Sequence, residues 1–146
     1  MSVQPLRKEH DRNPRTVEEA EALVKHVESL FMPWNIDALV GGFTDDCVVR
    51  FGTVPEFRGR ETLRAFFTSR SGKQRGYRLK KNFRTLMNDT ITNTWEGEWQ
   101  DAESGAPMRG FGVEVWVMRA GKIAAWEAAF NTGRADQTNS VADPLR

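Results

Sequence analysis

Residues 77–131 read YRLKKNFRTLMNDTITNTWEGEWQDAESGAPMRGFGVEVWVMRAGKIAAWEAAFN, and the period of this stretch decides the fold. Apolar and polar side chains alternate with the period of two that marks a half-buried strand. Four strands are predicted, over 77–87, 90–100, 108–118 and 122–131. They are joined at Asn88-Asp89, over 101–107 and at Ala120-Gly121, connections whose residues suit hairpins. Upstream the period lengthens. Thr16 and Glu19 form a capping box, after which Val17, Ala20, Leu23, Val24, Val27, Leu30 and Phe31 recur at helical spacing until Pro33. Asn35 caps a shorter helix carrying Ile36, Leu39, Val40 and Phe43, and 47–53 is β-branched enough for a strand. Gly59-Arg60-Glu61 opens a third helix that ends near Ser71-Gly72. Helices followed by a meander of long strands define an α+β fold, with helices on one face of an antiparallel sheet. Residues 1–15 and 132–146 are polar and aperiodic and read as a flexible arm and tail around a single domain over 16–131.

Alternation sorts the faces. Ile91, Asn93, Trp95, Gly97 and Trp99 form one side of their strand and Thr92, Thr94, Glu96 and Glu98 the other. With a two-residue turn at Ala120-Gly121, Val115 is expected opposite Trp126, Val113 opposite Ala128 and Phe111 opposite Phe130, an inner apolar face. The same register sets Glu114 opposite Glu127 on an outer face near Glu96 and Glu98, with Trp116 among them. A large ring on a charged face predicts a homodimer through this surface. In the first long strand Tyr77, Leu79, Phe83 and Met87 share a side, which points Lys81 inward. A two-residue turn at Asn88-Asp89 would instead bring Asn82 and Arg84 beside Trp95 and Asn93.

Composition excludes several classes of function. Twenty-one Lys and Arg against 20 Asp and Glu leave a net charge of +1, which gives no general attraction to nucleic acid or anionic membrane. The basic run from Arg64 to Arg84 lacks the aromatic interleaving of a stacking platform, so nucleic acid is disfavoured as a partner. No run approaches the roughly 18 apolar residues of a membrane span, and no signal peptide is evident, so a cytoplasmic protein is expected. A lone Cys47 excludes a disulfide framework and a clustered-cysteine zinc site. Phosphate-binding glycine loops, GxSxG and HExxH are absent, and neither a metal nor a cofactor is expected. His10 and His26 read as surface residues. Five Trp and nine Phe against one Tyr suggest a core or pocket lined with large rings.

The order of elements resembles a known superfamily. So do the Trp34-Asn35 step, Phe43-Thr44-Asp45-Asp46, Gly59-Arg60-Glu61 and the Ala120-Gly121-Lys122-Ile123 hairpin. The chain is similar over 16–131 to the nuclear transport factor 2-like superfamily, the cone-shaped fold that includes ketosteroid isomerase, SnoaL-like polyketide cyclases and limonene epoxide hydrolase. Tyr77-Arg78-Leu79, Glu98-Trp99, Gly112-x-Glu114-x-Trp116 and Asn131 resemble a bacterial subgroup of unknown function. The resemblance implies an apolar pocket between curved sheet and helices. Its expected lining is Trp34, Phe51, Phe57, Trp95, Phe111, Val113, Trp126 and Phe130.

The chemistry does not carry over with the fold. Phe51 and Val113 occupy the positions where the isomerase resemblance would place carboxyl groups, and the hydrolase's aspartate-arginine-aspartate pattern is unmatched by Asn93, Trp95, Val113 and Trp126. The polar groups left for the pocket are Lys81, Asn93 and Glu56, the last in the loop before the third helix. A carboxylate beside aromatic walls can serve as a base, and a lysine or amide can steady an oxyanion. The expected function is binding of a small apolar or aromatic metabolite, as a cofactor-independent lyase, isomerase or hydrolase. A noncatalytic ligand-binding or dimerisation module is the alternative.

Overall fold

A computed structural model describes residues 12–137. Its elements run α1 (Val17–Ser29), α2 (Ile36–Gly41), β1 (Phe43–Phe51), β2 (Phe57–Arg58), α3 (Arg60–Lys73), β3 (Gln74–Met87), β4 (Thr90–Asp101), β5 (Pro107–Arg119) and β6 (Lys122–Arg134). The helix starts follow their caps: Thr16 Oγ1 accepts from the Glu19 amide at 3.1 Å, and Asn35 Oδ1 from the Ala38 amide at 3.1 Å. The six strands form one sheet in the order β2-β1-β6-β5-β4-β3. Every neighbouring pair is antiparallel except β1 and β6, which run parallel. The sheet is therefore mixed, where alternation alone suggested an antiparallel one. A parallel neighbour needs a long connection, and the stretch from β2 through β5 supplies it.

The strand ends extend beyond the sequence reading. Residues 132–134, expected in the tail, belong to β6, while 138–146 and His10 lie outside the described residues. At the other end Asn13 is tied down: its Nδ2 donates to Asp89 Oδ1 at 2.9 Å and to the Met118 carbonyl at 3.1 Å, and its Oδ1 accepts from the Gly121 amide at 2.8 Å. One side chain thus clasps both hairpin turns at the same end of the sheet.

Two bulges set which side chains enter the core. The Asn88-Asp89 turn contains two residues, with Met87 opposite Thr90 and Leu86 opposite Ile91, but the register shifts between Phe83 and Thr85. The extra residue, Arg84, stays exposed, and beyond it Phe83 faces Asn93 and Lys81 faces Trp95. The second shift follows the tight Ala120-Gly121 turn. Arg119 opposes Lys122 and Met118 opposes Ile123, but Val117 then opposes Ala125, leaving Ala124 as the bulged residue. Because the pleat has a period of two, a one-residue slip exchanges faces.

This second bulge corrects the expected inner face of β5. Trp116 opposes Trp126, Glu114 opposes Ala128 and Gly112 opposes Phe130. Trp116 and Glu114 point inward, each 2% exposed, whereas Phe111 and Val113 lie outward at 56% and 47% exposure. Glu127 lies opposite Val115 and pairs with Arg50 at 3.5 Å, not with Glu114. The outer face consequently carries an apolar stripe of Phe111, Val113 and Val117 beside Glu96, Glu98 and Glu127.

The helices cover the opposite, concave side. Phe67 of α3 is 1% exposed and meets Phe31, Phe43 and Trp126 at ring-centroid distances of 6.1, 6.2 and 5.9 Å. Burying such a ring contributes roughly 1.5–3 kcal/mol. Ala20 and Val24 supply the buried edge of α1. The sheet makes room for its own rings with glycine. An added Cβ at Gly97 would lie 2.9 Å from Tyr77 Cε1, and one at Gly112 would lie 2.5 Å from Trp95 Nε1.

Candidate functional site

Polar groups from three strands converge inside this aromatic shell. Lys81 Nζ from β3 donates to Glu114 Oε1 from β5, and both side chains are at least 96% buried. The second carboxylate oxygen, Oε2, accepts from Trp126 Nε1 of β6 at 3.0 Å. Lys81 Nζ also lies 5.5 Å from the Trp116 ring centroid and 5.9 Å from that of Phe31, distances at which aromatic faces attract a cation. Burying two charges is costly, and only good geometry and further hydrogen bonds offset it. Here the strand backbone of Lys81 is itself clamped, its amide donating to Glu28 Oε2 at 2.6 Å and its carbonyl accepting from Lys25 Nζ at 2.8 Å.

Asn93 stands between these strands, opposite Glu114 on one side and Phe83 on the other. It is 0% exposed, and neither Oδ1 nor Nδ2 has a hydrogen-bond partner among the described residues. Trp34 Nε1 is likewise buried without a partner. Buried polar atoms are paired as a rule, and each exception needs an explanation.

Farther along the strands the only tyrosine of the chain stacks on Trp34, with centroids 5.5 Å apart and planes at 23°. Burial pushes the Tyr77 hydroxyl up to about 12, against the lowering influence of Arg70 and with Glu114 adding to the rise. A raised folded-state value means the native state holds this proton more tightly than the unfolded chain. The stabilisation is therefore complete below pH ~10, the ordinary tyrosine value, and declines as pH rises toward about 12. A single ultraviolet phenolate transition with a midpoint near 12 is expected for the native protein; a midpoint near 10 contradicts this burial.

The remaining residues singled out from the sequence are distributed as follows. Phe51, Trp95, Trp126 and Phe130 meet inside: Phe51 is 4.4 Å from Phe130 and 5.2 Å from Trp126, and Trp95 is 6.0 Å from Phe130. Phe57 touches this group through Phe66 at 5.2 Å. Phe111 and Val113 lie on the other face of the sheet. Glu56 is exposed and lies 3.6 Å from Arg58, so it does not join the interior. Cys47 is buried, and burial pushes its thiol up, away from nucleophile chemistry. Among the described residues no group of three or more His, Cys, Asp or Glu side chains could hold a metal ion, and no helix is long and apolar enough to cross a membrane.

Sequence reasoning missed Glu114, Trp116 and Arg70 as interior groups, whereas Tyr77 lies on the inward side that the alternation of its strand gave it. The sequence does hold a signal for the first two. Gly110 and Gly112 share their parity with Glu114 and Trp116, and they are the positions over which Trp95 lies. Glycines on alternate positions of a long strand mark the side on which a neighbouring ring lies flat.

The fold, helices followed by a curved mixed six-stranded sheet, is the cone-shaped α+β architecture that the resemblance to nuclear transport factor 2-like proteins implied. One similar solved structure is that of the epoxide hydrolase/cyclase-like enzyme SalBIII, reported for its role in pyran ring formation in the polyether salinomycin. It has a TM-score of 0.71 at 14% identity, covering 80% of this chain and 96% of the other. Another is reported as "Crystal Structure of Putative Isomerase from Bacillus subtilis", with a TM-score of 0.69 at 13% identity, covering 80% and 90%. No curated protein matches the sequence. The chain belongs to the family described as "Protein of unknown function (DUF1348)", whose profile matches residues 13–141.

Proposed function

We propose that the cone interior binds a small, largely apolar or aromatic metabolite and acts on it without a cofactor, as a lyase, isomerase or hydrolase. The observation that carries this reading is the buried Lys81-Glu114 pair standing beside Asn93, whose amide has no partner among the described residues. A carboxylate held by Lys81 and the Trp126 indole is a base fixed in place, and it needs no solvent reorganisation to accept a proton. Lys81 Nζ and Asn93 Nδ2 are donors suited to charge developing on a substrate oxygen. The surrounding rings exclude water, which strengthens each of these interactions. The similarity to an epoxide hydrolase/cyclase-like enzyme and to a protein described as an isomerase is compatible with such chemistry.

A second reading is favoured by the ring packing. Phe51, Trp95, Trp126 and Phe130 approach one another at the centre, as the core of a noncatalytic association module would. The two readings separate in a thermal-shift panel of small ketones, enones, epoxides and apolar acids. A ligand at 100 times its dissociation constant adds about 2.7 kcal/mol of stability. The catalytic reading expects a rise in melting temperature that Asn93→Leu abolishes, whereas Glu114→Gln keeps the rise and loses turnover. A panel without any rise favours the second reading.

The homodimer belongs to this proposal with a changed basis. Trp116 and Glu114 face the core, so the supporting feature is the exposed stripe of Phe111, Val113 and Val117. Light scattering is expected to give twice the chain mass of 16.6 kDa; a monomer removes this part of the account.

A further inference from the structure

The charges inside the cone do not balance. Among the described residues the charged interior groups are Arg70, Lys81 and Glu114, and the single carboxylate of these is already engaged by Lys81. Glu28, at the seam of α1 and β3, has its own cation in Lys25 at 3.1 Å. One positive charge is left over, and it is Arg70.

Arg70 stands in the last turn of α3, half-buried. Its guanidinium carbon lies 4.6 Å from the centroid of Phe51 and 5.6 Å from that of Phe66. Its polar partner is the Tyr77 hydroxyl, and among the described residues no carboxylate forms an ion pair with it. Arg60, likewise half-buried, has Asp45 at 2.8 Å. Burial disfavours the charged form of Arg70, which is the penalty an anionic partner would remove. The guanidinium fork fits a carboxylate with two parallel hydrogen bonds, and the flanking rings fit the apolar body attached to it.

We propose that Arg70 receives the carboxylate of a small apolar monocarboxylic acid, with the acid's body against Phe51 and Phe66. This rests on the reading of the cone interior as a ligand site. A monoanion cancels the surplus interior charge. A phosphate dianion would leave a net negative charge among aromatic rings, and a neutral ligand would leave Arg70 unpaired. The ligand class is thereby narrowed to acids, and Arg70 becomes its specificity-determining residue.

The test uses tryptophan fluorescence and thermal shift with four probes: 3-phenylpropanoate, hexanoate, 3-phenylpropanamide and phenyl phosphate. The acids are expected to bind at least tenfold more tightly than the amide, as a charge-assisted pair requires. Arg70→Gln is expected to weaken acid binding about tenfold or more while leaving the amide unchanged, and Arg70→Lys to recover part of the loss. Circular dichroism of both variants checks that the fold is kept. Equal binding of acid and amide, lost on Asn93→Leu but not on Arg70→Gln, overturns the assignment of Arg70 and leaves the interior site standing. Preference for phenyl phosphate over both acids overturns the monoanion. Acid binding untouched by either substitution, or no binding of any probe at millimolar concentration, overturns both the assignment and the site.

Discussion

Lys81→Met is expected to destabilise the protein by about 3–5 kcal/mol, because it leaves the Glu114 carboxylate buried with only the Trp126 indole to hold it. For a chain of this size that corresponds to a fall in melting temperature of roughly 6–20 °C. The double variant Lys81→Met with Glu114→Gln is expected to recover most of the loss. The amide keeps an acceptor for the Trp126 N–H, and no uncompensated charge remains. A double-mutant cycle from chemical denaturation measures the coupling directly. Near-additive losses would mean that the two side chains do not meet in the interior, and the site as described would fail with them.

The second large effect concerns space rather than charge. Gly112→Ala places a methyl 2.5 Å from Trp95 Nε1, 2.6 Å from its Cε2 and 2.9 Å from Phe130 Cβ. Two ring-bearing side chains on adjacent strands must move, and forced repacking of this kind costs about 1–3 kcal/mol. The tryptophan emission should change with it, since Trp95 lies over this glycine. Gly133→Ala is the control, because a Cβ there has nothing within 4 Å; it is expected to melt with the parent. If both variants behave alike, Trp95 does not lie over β5 and the inner face of that strand needs a different account.

Much of this arrangement was readable in the residues, and the part that was not has one physical origin. The caps of α1 and α2, the four long strands and the inward face of β4 follow from local rules, since Thr16, Asn35 and the alternation of Ile91, Asn93 and Trp95 act within a few residues of themselves. Lys81 was placed inward by the alternation of β3, even though its tight turn argued for Arg84. Both features are real, because the bulge at Arg84 reconciles them. The inner face of β5 was read wrongly for the same kind of reason. Counting back from Ala120-Gly121 assumes an uninterrupted ladder, and Ala124 interrupts it. A bulge is stabilised by what packs around it in three dimensions, so an alanine carries no local mark of it. That one residue exchanged Val113 for Glu114 and hid the buried carboxylate that pairs with Lys81. Arg70 was missed differently: it sits on a helix in a basic run, and only the fold shows that no carboxylate among the described residues pairs with it.

The central claim is that Asn93 is kept polar for a ligand and not for the fold, and the melting of Asn93→Leu tests it most directly. An amide buried without partners costs about 1–3 kcal/mol relative to a satisfied or apolar group. Leucine of similar size removes that cost. The account predicts that Asn93→Leu melts higher than the parent in the absence of ligand and no longer responds to the ligand that stabilises the parent. A variant that melts lower, yet keeps the full ligand response, would show that Asn93 serves the core and that the binding site lies elsewhere.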